Sequence, residues 1–424
     1  MSKVNVLIFP AGEINSIELH DALSTCVNIK LFGASSIDRH GEYVFKNYIS
    51  GLPLISENNF FKEFNRILKE KKIDLIFPTH DTVAEFFANN LDKIQAKVIM
   101  ADKETTEICR DKSKIYDLFK NEDFCPKVYS QITEYPLFIK PKKSQGGIGA
   151  KLINSEKDIP QNINLDNFVI TEFLPNEEYT VDCFTDKNRN LKVIAPRSRQ
   201  RIFVGVSVEG KNEKLTEEIK NIAEKINSRL KFNGLWFFQI KKDKNNKFKL
   251  LEISTRCAGA MCLTRSLGLN LPLLSVYNAL GYEIEALPNN YNIKMDRTLI
   301  SRYKIDYEYD TVYFDFDDTL LMGNKIYVPA IQFLYQCKNK GKKVILITRH
   351  EKDLSETFKR YAISENLFTK IHHIGFDEEK ADFINPKKAI FIDNSYNERN
   401  KVKEKFNIQT FDVDGFEVLL DWRQ

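Results

Sequence analysis

Hydrophobic and polar positions alternate with different periods along this chain, and the changes of period divide it. An apolar run over residues 4–9 opens into Pro10-Ala11-Gly12, after which apolar residues recur at helical spacing over 14–23. That pattern predicts a strand, a turn and a helix. A further strand is expected over 29–32, a helix over 60–71, and a strand over 75–79 that ends in Pro78-Thr79. Strands alternating with helices build a parallel sheet. Past Asp102 the texture changes. A helix near 112–120 precedes a strand over 137–139 and the glycine-bearing loop Ser144-Gln145-Gly146-Gly147-Ile148-Gly149-Ala150. Strands over 168–171, 179–184, 191–195, 235–241 and 248–253 then alternate with turn-rich segments such as Lys242-Asp243-Lys244-Asn245-Asn246. Strands joined by short polar turns indicate an α+β region with antiparallel sheets.

Periodicity weakens over 285–309, where Leu287-Pro288-Asn289-Asn290-Tyr291-Asn292 reads as a linker. A second β/α alternation begins at Thr311, with strands over 311–314, 343–347 and 389–392, the pattern of a compact doubly wound domain. At 424 residues the chain exceeds what one core supports, and 42% hydrophobic content is ample for several. The expected division is an α/β domain over 1–105, a second domain over 106–285, a linker over 286–307 and a terminal domain over 308–424. A net charge of +4, with Lys and Asn spread along solvated faces, gives no basic stripe for nucleic acid and no argument for a membrane partner. No apolar run approaches membrane-spanning length. Seven cysteines (Cys26, Cys109, Cys125, Cys183, Cys257, Cys262, Cys337) are odd in number and lack CxxC spacing. Reduced core cysteines in a cytoplasmic protein are the expectation, not a disulfide framework or a zinc site.

Candidate chemistry concentrates in the middle of the chain. Lys140 stands at a strand end beside the glycine loop, where main-chain N–H groups can converge on an anion. Taken alone, that could equally be an ordinary glycine hairpin. Asp111-Lys112-Ser113 adds a second lysine, and Thr171-Glu172-Phe173-Leu174-Pro175 is followed by Glu177-Glu178-Tyr179-Thr180-Val181-Asp182. Gln239 then precedes Leu251-Glu252-Ile253-Ser254-Thr255-Arg256.

In this order the motifs resemble the ATP-grasp superfamily, particularly the carbamoyl-phosphate-synthase-like carboxylate ligases, over residues 1–285. The unit over 4–12 looks like the domain that precedes the ATP-grasp domain in that family. The resemblance implies ATP between two antiparallel-rich lobes, its phosphates on Lys112 and Lys140, and Ser144, Gly146, Gly147 and Gly149 folded over them. It implies Glu172, Phe173 and Leu174 at the adenine edge, mostly through backbone, and Glu178 on the ribose hydroxyls. Mg²⁺ would rest on Gln239 and Glu252, with Arg256 neutralising the transferring phosphoryl group. Phosphoryl transfer depends on positioned cations more than on covalent chemistry, and these residue types suit it. The family usually carries Asn two residues after the metal-binding Glu. Here Ser254 stands there; its hydroxyl can reach magnesium or its water, and weakened metal coordination is expected.

Pro196-Arg197-Ser198-Arg199-Gln200-Arg201 places three arginines at alternate positions, which on one strand would share a face. Arginine forks suit carboxylate or phosphate. Arg197, Arg199 and Arg201 are therefore candidate substrate ligands, Arg199 the preferred carboxylate anchor; a solvated or ion-paired strand face is the alternative. His80 and Asp81, ending the strand over 75–79, read as a packed loop pair.

In the terminal domain, Tyr313-Phe314-Asp315-Phe316-Asp317-Asp318-Thr319-Leu320 ends a hydrophobic strand with Asp315 and Asp317 expected to face the same way. One carboxylate can attack while its neighbour handles a proton, with a divalent cation reducing their repulsion. The strand over 343–347 ends in Thr348-Arg349, Lys380 precedes the last strand, and Ile390-Phe391-Ile392-Asp393-Asn394-Ser395 supplies another acid. This order resembles the haloacid-dehalogenase-like (HAD) phosphatases over 308–424. The resemblance implies Asp315 as nucleophile, Asp317 as general acid and base, Thr348 and Lys380 as phosphate stabilisers, and Mg²⁺ on Asp315, Asp393 and the carbonyl of Asp317. Asn394 stands where many members carry a second acid, which implies reduced metal affinity. The intervals between motifs leave no room for an inserted cap, and His372 and His373 read as edge-strand surface residues.

The combined expectation is an α/β and α+β multidomain chain: a pre-ATP-grasp α/β domain, ATP-grasp lobes, and a Rossmann-like HAD domain without a cap. Such a chain would be bifunctional. An ATP- and Mg²⁺-dependent ligase would join a small-molecule carboxylate to an amine-type nucleophile through an acyl phosphate, and a Mg²⁺-dependent phosphatase would act on a phosphate ester of its substrate or product. Tethering the two raises local concentration. One alternative keeps the ligase and makes the terminal domain a non-catalytic binding or dimerisation module. Another makes the phosphatase the activity and the ATP-grasp lobe a nucleotide sensor. The expected partners are small molecules, with no nucleic acid and no membrane; a homodimer remains open.

Overall fold

The computed structural model describes residues 3–132, 134–160, 163–203, 205–421 and 423. The chain divides into two compact units, Met1–Leu299 and Ile300–Gln424. The first begins with a parallel sheet of β1 (Val4–Phe9), β2 (Ile29–Ala34), β3 (Asn47–Ile49), β4 (Leu75–Pro78) and β5 (Lys97–Val98), in the order β3-β2-β1-β4-β5. Val6 and Ile8 of β1 join a core that includes Leu19 and Leu23 of the helix Ile14–Leu23, whereas Leu7 and Phe9 pack the other face against Phe60, Phe64 and Phe87. Burial on both faces is why β1 reads as an unbroken apolar run. The strand order reverses between β1 and β4, and their carboxyl ends open a crevice of the kind that takes ligands.

Two antiparallel sheets follow. One comprises β6 (Val128–Tyr129), β7 (Leu137–Pro141), β8 (Lys151–Ile153) and β9 (Phe168–Glu172), ordered β6-β9-β7-β8. The other draws on β10 (Glu178–Thr185) and β11 (Leu191–Ser198). After β12 (Arg201–Phe203) and β13 (Val206–Lys211), it is completed by β14 (Gly234–Lys242) and β15 (Phe248–Ser254), ordered β11-β10-β14-β15. Trp236, Phe238 and Ile240 alternate along β14 and pack, with Val181 and Cys183 of β10, on Ile219, Ile222, Ala223 and Ile226 of the helix Glu217–Arg229. Phe232 stacks on Trp236 at a centroid distance of 3.9 Å. A one-residue slip would turn this apolar set outward, so its burial also fixes which residues face the other way.

The segment read as a linker is not wholly irregular. β16 (Lys294–Asp296) pairs with β13 and completes a small sheet ordered β12-β13-β16. A strand of one methionine between two charged residues carries no apolar signal.

The second unit is a parallel sheet, ordered β21-β20-β17-β22-β23, with a hairpin inserted. Its elements are β17 (Thr311–Phe314), the hairpin β18 (Leu321–Met322) and β19 (Lys325–Ile326), β20 (Lys343–Thr348), β21 (Lys370–His373), β22 (Ala389–Ile392) and β23 (Gln409–Phe411). The hairpin and the helix Val328–Asn339 join β17 to β20, and no cap domain is inserted among the described residues. No helix among them is long and apolar enough to cross a membrane. All seven cysteines are free; Cys183, Cys257 and Cys337 are buried.

Candidate functional sites

A cavity of about 400 Å³ opens in the first unit where the carboxyl ends of β1 and β4, the glycine loop and one face of the β11-β10-β14-β15 sheet meet. Lys112, Lys140, Ser144, Gly146, Gly147, Glu178, Arg197, Arg199, Gln239, Glu252 and Arg256 all line it. Lys112 and Lys140 are only 7% and 6% exposed, and neither has an ion-pair partner among the described residues. Lys112 Nζ donates to the Ser144 hydroxyl at 3.2 Å, and Arg110 donates to the Ser144 carbonyl at 3.2 Å, fixing the start of the loop. Lys140 Nζ donates to the Leu251 carbonyl at 3.3 Å and lies 5.0 Å from the centre of the Tyr116 ring. Burial, and after it the neighbouring Lys112, bring the Lys140 ammonium down to a pKa of about 7.

Two glycines close the loop. Gly149 has φ +78°, and a Cβ there would sit 2.8 Å from the Pro141 ring, so the loop turns tightly at the end of β7. Gly205 has φ +76°, and a Cβ there would meet the Gly146 carbonyl oxygen at 2.2 Å, so two backbones touch where only glycine fits.

Gln239 and Glu252 are direct cross-strand partners of β14 and β15, on one face. A nucleotide-bound Mg²⁺ typically takes one or two protein oxygens and completes its shell with phosphates and water. This pair fits such a role, and no group of three His, Cys, Asp or Glu residues able to hold an ion exists among the described residues. Ser254 is placed differently from the expectation: its hydroxyl donates to Asp81 Oδ1 at 3.2 Å, and it does not line the cavity. Arg256 is likewise engaged, with Nε 2.8 Å from Asp81 Oδ1 and Nη2 2.9 Å from Oδ2, its guanidinium 5.6 Å from the centre of the Phe237 ring. Burial opposes ionisation of Asp81, but Arg256 outweighs it and holds the carboxyl below its ordinary range.

His80 and Asp81 pack as a loop pair, His80 capping the following helix, and each also touches the cavity's residues, Asp81 through Arg256. His80 lines the cavity, accepts from the Thr82 N–H at 3.2 Å through Nδ1, and lies with Nε2 2.7 Å from the side-chain amide of Gln145 in the glycine loop. Burial lowers its pKa. The available signal was position, at the carboxyl end of a parallel strand beside the reversal of strand order.

Two of the three arginines reach the cavity and the third does not. β11 and β12 run the same way against β13, Arg197 bridging Asn212 and Arg201 facing Glu209, but the strand is interrupted at Arg199-Gln200, so strict alternation does not carry through to Arg201. Arg197 is 2% exposed and donates to Asp182 through Nε at 2.8 Å and Nη2 at 3.3 Å. Arg199 pairs with Glu178 at 2.7 Å and donates to the Gly205 carbonyl at 3.1 Å. Arg201 is half-exposed, pairs with Asp296 at 2.5 Å and lies outside the cavity lining. Gly149, Glu172, Phe173 and Leu174 also lie outside it. Glu172 accepts from the Lys127 N–H at 2.8 Å and borders a separate groove of about 1200 Å³. That groove is larger but contains neither the two unpaired lysines nor the glycine loop, so the smaller cavity is the chemically equipped one.

In the second unit Lys380 bridges Asp315 at 2.6 Å and Asp393 at 2.7 Å, all three buried. Burial first, then the charge of Asp393, push the Asp315 carboxyl up against the pull of Lys380; burial raises Asp393 as well. Two carboxylates on one ammonium leave an excess negative charge, which suits a divalent cation. Thr348, fully buried at the end of β20, has a hydroxyl with no hydrogen-bond partner among the described residues. The Asn394 N–H donates to the Thr319 hydroxyl at 3.1 Å, which in turn lies 3.1 Å from Asp315 Oδ2. Asp315 and Asp317 do not share partners: β17 stops at Phe314, and the half-exposed Asp317 pairs with His350 Nδ1 at 2.9 Å. His350 had no place in the sequence expectation, although it directly follows Thr348-Arg349. His373 is exposed on edge strand β21, while His372 is half-buried, 4.9 Å from the Phe383 ring.

A family model described as "ATP-grasp in the biosynthetic pathway with Ter operon" matches residues 164–298. The 3-methyl-D-ornithine--L-lysine ligase of Methanosarcina barkeri is 27% identical over 126 residues, 29% of this chain and 33% of that protein. The chain thus spans about a third of the length of that curated relative. Among solved structures, biotin carboxylase of Campylobacter jejuni aligns with a TM-score of 0.54 at 17% identity, over 68% of this chain and 74% of that one. An L-amino acid ligase of Bacillus licheniformis aligns with 0.53 at 17%, over 66% and 75%. The N5-carboxyaminoimidazole synthetase of Staphylococcus aureus, complexed with ADP, aligns with 0.55 at 14%, over 68% and 80%. These likenesses show a mixed α/β multidomain chain with an ATP-grasp-like fold.

Proposed function

We propose that the chain is an ATP-dependent ligase joining a carboxylate to an amine, with residues 106–285 as the ATP-grasp portion. One observation carries this reading: two buried lysines without carboxylate partners face a single cavity beneath a glycine loop. Uncompensated buried ammonium groups call for a polyanion. The amino-acid ligases among the similar proteins favour an amino-acid-like carboxylate. Lys112 and Lys140 hold the ATP phosphates, the loop from Ser144 to Gly149 excludes water above them, Glu178 faces the ribose, and Gln239 with Glu252 holds the Mg²⁺ that offsets phosphate charge. A carboxylate oxygen of the substrate attacks the γ-phosphorus, the bond to the bridging oxygen breaks, and ADP leaves with the electron pair. The amine nitrogen then attacks the acyl carbon, inorganic phosphate leaves, and the amine loses a proton to solvent. Arg256, oriented by Asp81, faces the charge that builds on the transferring group. The test is ADP release that requires both a carboxylate and an amine and is lost in Glu252→Gln; ADP release indifferent to both additions refutes the reading.

The Asp315–Lys380–Asp393 cluster and the unpartnered Thr348 hydroxyl favour a second activity in residues 308–424, a Mg²⁺-dependent phosphatase of the HAD type. An Asp315 oxygen attacks phosphorus as the ester P–O bond breaks, and Asp317, with His350 against it, gives the leaving alcohol its proton. Water then attacks the phosphorus of the aspartyl phosphate, Asp317 takes back a proton, and inorganic phosphate leaves with the Asp315 carboxylate restored, while Thr348 and Lys380 hold the phosphoryl oxygens. Hydrolysis of p-nitrophenyl phosphate, lost in Asp315→Asn, checks it. No turnover across a broad ester panel would leave a non-catalytic module.

A further inference from the structure

The pairing register of the four-stranded sheet places four residues in one row. Arg197 on β11 stands opposite Thr180 on β10, Thr180 opposite Gln239 on β14, and Gln239 opposite Glu252 on β15. Directly paired residues project to the same face. Arg197, Gln239 and Glu252 line the cavity, and Thr180 lies fully buried between the first two.

Two adjacent members of the row carry polar atoms that nothing satisfies. Arg197 Nη1 and Thr180 Oγ1 are buried without a hydrogen-bond partner among the described residues. An unmade buried hydrogen bond costs a fold stability, and such groups are rare enough to need a reason. Arg197 has spent Nε and Nη2 on Asp182, so Nη1 remains as a spare donor on a side chain whose charge is already compensated. Arg256 differs, using Nε and Nη2 on Asp81 and Nη1 on the Cys257 carbonyl. Arg199 Nε also makes no hydrogen bond of good geometry, but it lies 2.7 Å from a Glu178 oxygen as an ion pair and Nη2 donates to the Gly205 carbonyl, so it has no donor left without a nearby acceptor comparable to Arg197 Nη1.

We propose that Arg197 and Thr180 form the seat for the substrate carboxylate that receives the phosphoryl group, an inference that rests on the ligase reading. A monoanionic carboxylate suits the seat better than a phosphate. Asp182 cancels the Arg197 charge, so the seat offers directed donors without surplus positive charge, whereas Lys112 and Lys140 keep theirs. The carboxylate enters between the Arg197 and Gln239 side chains. At the interstrand spacing of about 4.8 Å, it then lies one strand from Gln239 and two from Glu252, within reach of a phosphoryl group held there. Arg197 thereby replaces Arg199 as the anchor.

The experiment titrates the full chain, saturated with Mg²⁺ and a non-hydrolysable ATP analogue, with glycine, L-alanine, L-lysine, L-glutamate and lactate by calorimetry. Wild type is compared with Thr180→Val and Arg197→Lys. Thr180→Val keeps the shape and deletes an unsatisfied hydroxyl, so a merely structural threonine leaves affinity unchanged. Arg197→Lys keeps a cation for Asp182 and loses the spare donor. For the best-bound acid, affinity should fall about tenfold in Thr180→Val and further in Arg197→Lys, the analogue affinity staying within about twofold. Unchanged carboxylate affinity in Thr180→Val overturns the seat, as does failure of the wild type to bind any of the five acids. Should Arg197→Lys not fold, Thr180→Val decides alone. Thr180-dependent carboxylate binding without ADP release would sink the ligase reading and leave the seat standing. Carboxylate-dependent ADP release untouched by Thr180→Val would do the reverse.

Discussion

Lys140 should make nucleotide binding proton-linked. In the free protein its pKa lies at about 7, because burial and Lys112 disfavour its charge. Phosphate supplies the missing counter-charge, so the bound state holds Lys140 protonated, and above neutral pH each binding event takes up a proton. If the neutral amine contributes nothing, the apparent Kd scales as 1 + 10^(pH − 7), and between pH 6 and 9 it rises about 90-fold, roughly 2.7 kcal/mol. Arg cannot lose its charge, so in Lys140→Arg the linkage should vanish, and titration of the nucleotide itself cancels in the comparison. Calorimetry in buffers of different ionisation enthalpy reads the proton uptake directly. The stability of the nucleotide-free protein carries the opposite sign. The unfolded lysine titrates near 10.4, so between about 7 and 10.4 the unfolded chain binds more protons and stability rises with pH. A Kd flat from pH 6 to 9, or a slope equal in wild type and Lys140→Arg, would refute the reasoning.

Three other perturbations have expected outcomes. Asp81→Asn breaks the two-point grip on Arg256, and should lower kcat for ADP release by about 10- to 100-fold with ATP-analogue affinity almost unchanged, measured by steady-state kinetics and calorimetry. Lys380→Met leaves Asp315 and Asp393 facing each other, and should cost about 3–5 kcal/mol at pH 7 in denaturant melts. Both carboxyls already sit above their ordinary range, and the loss should shrink as pH falls and they protonate, because the repulsion disappears with their charge. Gly205→Ala puts a Cβ against the Gly146 carbonyl at a φ of +76°, and should displace the glycine loop, read as faster proteolysis within 144–150 and weaker analogue binding.

Strand β1 and the helix after it were legible because burial on both faces, then on one, writes an unbroken run and then a helical period. Gln239 and Glu252 were brought together by the family resemblance alone, and the register of β14 and β15 puts them opposite each other, whereas Ser254 and Arg256 could not be assigned partners. Asp81, which holds both, is 175 residues from Arg256, and no local pattern encodes that pairing. Alternation brings Arg197 and Arg199 to the cavity, but Arg201 lies past the break in the strand at Arg199-Gln200, which no glycine or proline marks, and pairs with Asp296 instead. The row from Arg197 to Glu252 is a matter of register, which depends on packing against Ile219, Ile222 and Ile226 on the far face. His350 went unseen because its partner Asp317 lies 33 residues upstream, past the end of its strand.

The two sites are unbalanced in opposite senses, and the imbalance says what each is built to receive. In the first, every cavity arginine is matched to a carboxylate: Arg197 to Asp182, Arg199 to Glu178, Arg256 to Asp81. Their guanidinium groups then contribute fixed geometry, and the unmatched positive charge resides on Lys112 and Lys140 alone. Glu252 is one lining carboxylate set against these two ammonium groups, so the cavity still falls short of negative charge, and a polyphosphate supplies it. In the second, Asp315 and Asp393 share one Lys380, so the cluster lacks a cation. A divalent ion would lower the raised Asp315 carboxyl and free its oxygen to attack. Adding Mg²⁺ should therefore stabilise the wild-type terminal unit in thermal melts and leave Asp315→Asn unshifted. Equal shifts in both proteins would mean that this carboxylate does not hold the ion.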